Sequence, residues 1–182
     1  VVSARQLEEV ESVGRYRDVD GEGVGYRTVP GTHPDKGAFF TRGTSRDEYA
    51  AYTESPDAYQ RNMERLQLKW QTARQLVPKA EIVGRGGSVG VLYFGTTSLP
   101  IPEALDKLAV KGIHLDTCRV RAFPFGNEVE AFVAEHDLIF VVEQNRDAQM
   151  RTLLINELQT NPAKLISILN FAGLSISADF ID

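Results

Sequence analysis

Apolar and polar positions fall into alternating blocks along the second half of the chain. Residues 138–142 (Leu-Ile-Phe-Val-Val) are an unbroken apolar run, and Glu143-Gln144-Asn145-Arg146-Asp147 follow without an apolar residue. The run predicts a strand buried on both faces, as parallel strands are. Asp147 is placed to cap a helix whose apolar positions are Met150, Leu153, Leu154 and Leu158. The same unit recurs upstream. Val89–Phe94 predicts a first strand, and Ile101, Ala104, Leu105 and Leu108 the helix after it. Residues 113–123 predict a second strand, followed by a helix capped by Asn127 that carries Val129, Phe132, Val133 and His136 on one face. Leu165–Leu169 is compatible with helix or strand, and a fourth strand is the preferred reading. Strand and helix in alternation predict a parallel sheet with helices on both sides. Three loops should then gather at its carboxyl edge, at 95–98, 123–126 and 143–147, where open α/β sheets usually meet ligands and partners.

The first third of the chain reads differently. Leu7 and Val10 mark a short helix, and residues 16–53 have no period. A loop of that length is usually functional or lies on another surface. Its aromatics, Tyr26, Phe39, Phe40, Tyr49 and Tyr52, predict an ordered arm instead of a floppy linker. Ser55-Pro56-Asp57 starts a helix. Tyr59, Met63, Leu66, Trp70, Ala73 and Val77 then form one stripe along it. The stripe reads as a core-facing side, with a partner-binding side as the alternative. The expected organisation is an arm over 1–54 and an α/β domain over 55–182.

Totals narrow the class. The 182 residues are 42% hydrophobic and 25% charged, enough for a sizeable core, with a formal net charge of −5. That charge argues against a nucleic-acid partner, because no basic surplus replaces counterions. No apolar run approaches the length needed to span a bilayer, so a cytoplasmic protein without a membrane partner is expected. Cys118 is the one cysteine, so this chain supplies neither an intrachain disulfide nor the four thiolates of a usual iron–sulfur cluster.

Candidate chemistry is sparse. The loop Gly84-Arg85-Gly86-Gly87 lacks the spacing of a nucleotide loop and precedes its strand. Asp18-Val19-Asp20-Gly21-Glu22-Gly23 begins like a calcium loop, but Val29 stands where the bidentate Glu belongs. Gly21-Glu22-Gly23 also begins like a thiamine-diphosphate magnesium motif, without the asparagines that should follow. His33, His114 and His136 have no metal-ligand spacing, and no metal site is expected. His33, within the arm, is the histidine singled out for function. Arg119 and Arg121 share one strand face. Their buried ends would need a carboxylate, for which Glu143 is the candidate, or a bound anion. Cys118 reads as core filler. No catalytic residue is assigned.

Three stretches carry a resemblance. Residues 26–43 (Tyr-Arg-Thr-Val-Pro-Gly-Thr-His-Pro-Asp-Lys-Gly-Ala-Phe-Phe-Thr-Arg-Gly), 119–125 (Arg-Val-Arg-Ala-Phe-Pro-Phe) and 142–149 (Val-Glu-Gln-Asn-Arg-Asp-Ala-Gln), with the closing Ala178-Asp179-Phe180-Ile181, resemble the α subunits of 2-oxoacid:ferredoxin oxidoreductases, first the 2-oxoglutarate branch. The similarity runs from about Tyr16 to the end. It implies a three-layer domain similar to the carboxy-terminal domain of transketolase, preceded by an irregular arm and a helix. It also implies a complex that decarboxylates a 2-oxoacid on thiamine diphosphate and Mg2+. Electrons then pass through iron–sulfur clusters to ferredoxin, and an acyl-CoA forms. In such enzymes the diphosphate grip belongs to a β subunit, and a pyrimidine-binding domain precedes the part matched here. The implied partners are that domain, the β subunit and ferredoxin, and this chain alone should bind no cofactor and be inactive. Candidate binding or interface residues are His33, Arg42, Arg119, Arg121, Glu143, Asn145 and Arg146. The alternative is a stand-alone α/β module holding CoA or phosphate on Arg119, Arg121 and Arg146.

Overall fold

The computed structural model describes residues 1–84 and 86–182, and Arg85 of the expected glycine-rich loop lies outside them. The chain forms two compact units, Val1–Leu76 and Val77–Asp182.

The second unit is the α/β domain. Its strands are β1 (Glu81–Val83), β2 (Val89–Phe94), β3 (Asp116–Val120), β4 (Leu138–Glu143) and β5 (Leu165–Leu169). They lie in the order β1-β3-β2-β4-β5, with β1 antiparallel to β3 and every other pairing parallel. Helices α3 (Ile101–Val110), α4 (Asn127–Glu135), α5 (Gln149–Leu158) and α6 (Ala178–Ile181) complete the unit. Successive strand residues enter opposite cores. Leu92 and Val141 join Phe132, Val133 and Leu154, whereas Val91 and Val142 join Ile101, Ala104 and Ile181. A strand buried on both sides needs unbroken apolar sequence, which is the pattern of 138–142. This is the expected three-layer, mostly parallel α/β architecture.

Strand β3 is shorter than expected. Its amino end gives way to the close of α3, where Ile113 N donates to Leu108 O at 2.9 Å. Strand β1 escaped the sequence reading because three exposed residues have no period to read. Gly90 on β2 is fixed by packing, since a Cβ there would sit 2.6 Å from Phe132 Cζ. The Phe132 ring lies in turn 4.1 Å, centroid to centroid, from His136.

His136 ends α4, as expected, but is buried. Its Nδ1 donates to Phe132 O at 2.7 Å, because a carbonyl can only accept. Its Nε2 faces Asp116 Oδ2 at 3.3 Å, and the same oxygen accepts from Gly87 N at 3.2 Å. Cys118 is fully buried in the first core, and burial pushes its thiol up to about 12.

Helix α5 is not capped by Asp147. Its cap position is Ala148, at φ 50° and ψ 48°, with no side-chain bond of its own. The carboxylate of Glu143 does the work from inside the fold. It is fully buried and accepts from Met150 N at 2.7 Å, Arg151 N at 3.0 Å and Asn145 Nδ2 at 2.8 Å. Free amides at a helix start suit an anion. Asn145 Oδ1 takes two more, from Asp147 N at 3.1 Å and Gln149 N at 3.3 Å.

The first unit holds the arm together with α1 (Ala4–Glu9) and α2 (Pro56–Leu76). The helix expected to open the α/β domain thus groups with the arm instead. Arg65 Nη1 donates to Gly23 O at 2.8 Å and Thr72 Oγ1 to Glu22 O at 2.7 Å. Gly23 is required there, since its φ is 73° and a Cβ would meet Lys69 N at 2.2 Å. The arm offers α2 carbonyl oxygens, so α2 turns polar donors toward it. The core-facing reading of the stripe holds only in part: Met63, Ala73 and Val77 are half-buried, whereas Tyr59, Leu66 and Trp70 are 50%, 41% and 48% exposed.

Three outcomes follow for the folded chain. Glu143→Gln turns an amide nitrogen toward helix donors and should cost about 2 kcal/mol in urea unfolding. Asp116→Ala leaves buried His136 Nε2 and Gly87 N without this partner and should cost about 2 kcal/mol, with Asp116→Asn costing less. Cys118 should resist a thiol reagent at pH 8 in buffer and react promptly in denaturant.

Candidate functional site at the carboxyl edge of the sheet

The loops expected at the carboxyl edge differ in what they hold. After β2 the chain makes a 3-10 turn over Gly95–Ser98, and after β4 it runs through 143–147. Gln144 Nε2 joins the two, donating to Thr96 Oγ1 at 3.0 Å and Thr97 Oγ1 at 3.1 Å. Beyond β3, Phe123 and Phe125 meet edge to face at 5.1 Å, with Phe125 buried and Phe123 38% exposed.

Along 143–147 the side chains divide by role. Glu143 and Asn145 are both drawn into the amide network at the start of α5. Arg146 is exposed and grips Asp147 with two nitrogens, at 2.7 and 3.2 Å. The edge therefore presents hydroxyls, an amide and an ion pair on a rigid backbone. The one cysteine is buried and protonated, so it offers no thiolate nucleophile here.

Arg119 and Arg121 do not reach Glu143. They pair with Glu81 across the β1–β3 ladder, at 3.0 and 3.5 Å. Glu143 is already engaged by helix amides, and the antiparallel register sets Glu81 opposite Arg119. These pairs are half exposed, so each is worth under about 1 kcal/mol. Arg119, Arg121 and Arg146 each face a carboxylate already, which weakens the module that would hold CoA on them.

The remaining candidates lie in the first unit. His33 Nδ1 accepts from Asp35 N and Lys36 N, both at 3.1 Å. That turn aims Lys36, whose Nζ donates to Leu7 O at 2.9 Å and Val10 O at 2.6 Å at the end of α1. His33 thus shapes the arm. Arg42 is exposed. The sequence reading missed Gln144, hidden among polar neighbours, and Arg151. Arg151 donates from Nε to Leu165 O at 2.8 Å and from Nη2 to Pro162 O at 2.9 Å. Neither had a local signal, because both partners are distant in sequence.

No protein-family model matches the chain. Over 134 residues it is 31% identical to subunit alpha of 2-oxoacid:ferredoxin oxidoreductase 2 from Aeropyrum pernix, a match covering 70% of this chain. The chain spans 21% of that relative's length. A solved 2-oxoglutarate:ferredoxin oxidoreductase from Magnetococcus marinus, with 2-oxoglutarate, coenzyme A and succinyl-CoA bound, superposes with a TM-score of 0.79. That overlay covers 93% of this chain and 29% of the other at 21% identity, and shows a shared fold. The chain is a homologue of part of a 2-oxoacid:ferredoxin oxidoreductase α subunit.

Proposed function

We propose that this chain is part of the α subunit of a thiamine-diphosphate-dependent 2-oxoacid:ferredoxin oxidoreductase of the 2-oxoglutarate branch, where it serves as scaffold and wall of the active site. The observation that carries the reading is the 31% identity over 134 residues to the α subunit of a 2-oxoacid:ferredoxin oxidoreductase. In the proposed complex a 2-oxoacid loses CO2, its acyl group passes to CoA, and the electrons leave through iron–sulfur clusters to ferredoxin.

This chain's own residues do not fit those groups. Cys118 is a buried core thiol pushed up to about 12, unlike a cluster thiolate. Gly21-Glu22-Gly23 forms a turn around Asp18, whose Oδ1 accepts from Gly21 N and Glu22 N at 3.0 and 3.1 Å, so these amides are already engaged. Among the described residues no group of three or more His, Cys, Asp or Glu is arranged to hold a metal ion, and no helix is long and apolar enough to cross a membrane. The proposed role is mechanical. Glu143 and Asn145 fix the loop after β4, and Gln144 ties it to the loop after β2.

Exposed aromatics support a chain that expects neighbours. In the first unit Phe39, Phe40, Tyr49, Tyr52 and Trp70 are between 46% and 85% exposed. The proposed neighbours are the pyrimidine-binding domain of the same subunit and a β subunit, with ferredoxin reached through the complex.

The test is a reconstitution. The purified chain, mixed with 2-oxoglutarate, CoA, thiamine diphosphate, Mg2+ and a dye acceptor, should reduce no dye. The same assay on the complete α subunit with its β subunit should reduce it, and replacing Gln144 by Ala there should lower kcat several-fold. Dye reduction by the chain alone would overturn the scaffold role.

A further inference from the structure

The first unit gathers guanidinium groups around one ring. Arg15, Arg46 and Arg65 hold their Cζ atoms 5.4, 5.7 and 5.6 Å from the centroid of Tyr16. Arg15 also lies 5.8 Å from the Phe39 ring. Such rings attract cations through their faces. The hydrogen bonds these arginines make go to neutral oxygens. Arg65 bonds Gly23 O at 2.8 Å and Asn62 Oδ1 at 3.1 and 2.9 Å, and Arg46 bonds Tyr16 Oη at 3.2 Å. Among the described residues, none of the three makes an ion pair with a carboxylate.

The cluster carries an electrostatic cost. Burial pushes the Arg65 guanidinium down from its ordinary value, and Arg15 beside it pushes the same way. Asp18 opposes the effect, but its Oδ1 is already engaged by Gly21 N and Glu22 N. Asp18 and Glu48 lie beside Tyr16 and Arg65, but among the described residues neither forms an ion pair with the three arginines, which leaves room for an anion from outside.

The room is there. A cavity of about 350 Å³ is lined by Arg15, Arg27, Arg65 and Lys69, with Tyr16 and Tyr26 among its other walls. No Asp or Glu lines it among the described residues. Its size falls in the range of small-molecule sites and exceeds what a bare monoatomic anion would fill. Guanidinium forks match phosphate oxygens in pairs, and lysine adds a point charge. A single carboxylate would leave most of the four positive charges unanswered.

We propose that this cavity in the first unit is a binding site for a phosphate-bearing small molecule, held by Arg15, Arg27, Arg65 and Lys69 with Tyr16 and Tyr26 as aromatic walls. Every wall lies within the first unit, and binding there is read without any activity of the complex.

Calorimetric titration of the whole chain with pyrophosphate and with ADP tests the site. Both should saturate at low salt and weaken as salt rises. Arg27→Gln and Lys69→Gln remove exposed side chains that carry none of the bonds described for this unit, so the fold should survive, with unchanged thermal unfolding as the check. Each should weaken binding about tenfold, as the loss of one charge-assisted contact predicts. Arg5→Gln, on exposed α1 and away from the cavity, should leave affinity unchanged. ADP tighter than pyrophosphate supports the site with the organic body against the tyrosines; equal affinities support it with phosphate recognition alone. Failure of both probes to saturate in the millimolar range would overturn the site, as would full affinity in the doubly substituted, folded variant.

Discussion

A buried carboxylate sets the geometry of the α/β unit. Glu143 ends β4 with no exposure to solvent, and a charge in that place must be met by donors. The donors are the first amides of α5, which begins on a left-handed Ala148 and has no cap of its own. Strand end and helix start are therefore solved together: each leaves polar groups that only the other satisfies. Between them the chain has little freedom, since Asn145 closes the turn from inside and donates back to Glu143. What faces outward, Gln144 and Arg146, is displayed on a backbone whose course is already decided.

The two units are stabilised by different forces. In the second, the sheet is buried on both faces, and removal of apolar surface from water is the main favourable contribution. In the first, donors reach main-chain oxygens: Lys36 to the end of α1, Arg65 and Thr72 to the arm. Such bonds give only about 1 kcal/mol each net, but they fix direction. They also explain why aromatic side chains stay outside. An arm that presents its backbone to α2 leaves Tyr59, Leu66 and Trp70 of the stripe about half exposed.

The same contrast decides what could be read from sequence. Buried parallel strands write themselves as unbroken apolar runs, and β2, β4 and β5 were legible to within a residue. The stripe on α2 gave the helix but not its orientation, because periodicity reports a face and not what covers it. Arg119 and Arg121 were legible as a same-face pair, whereas their partner lies on β1, a three-residue strand with no pattern. Glu143 stood out as polar at the end of an apolar run. Its work as a cap was not visible, because the obvious local candidate, Asp147, is turned instead toward Arg146. Residue types were misleading wherever the deciding contact was between the backbone of one element and the side chain of another.

Net charge conceals a further layer. A chain with a formal charge of −5 has no surplus of cations, yet folding brings Arg15, Arg46 and Arg65 around a single tyrosine. Nothing in the spacing of positions 15, 46 and 65 announces this. The cluster exists because α2 lies along the arm and the arm turns back on itself, pairing Asp18 with Gly25 and Arg46 with Tyr52. Ring faces and carbonyl oxygens make such crowding tolerable without neutralising it. A carboxylate paired with these guanidiniums would have removed the repulsion at once; Asp18 favours the Arg65 charge, but among the described residues it forms no ion pair with the three arginines. The unanswered charge is thus a property of how the arm is folded, and composition alone would have hidden it.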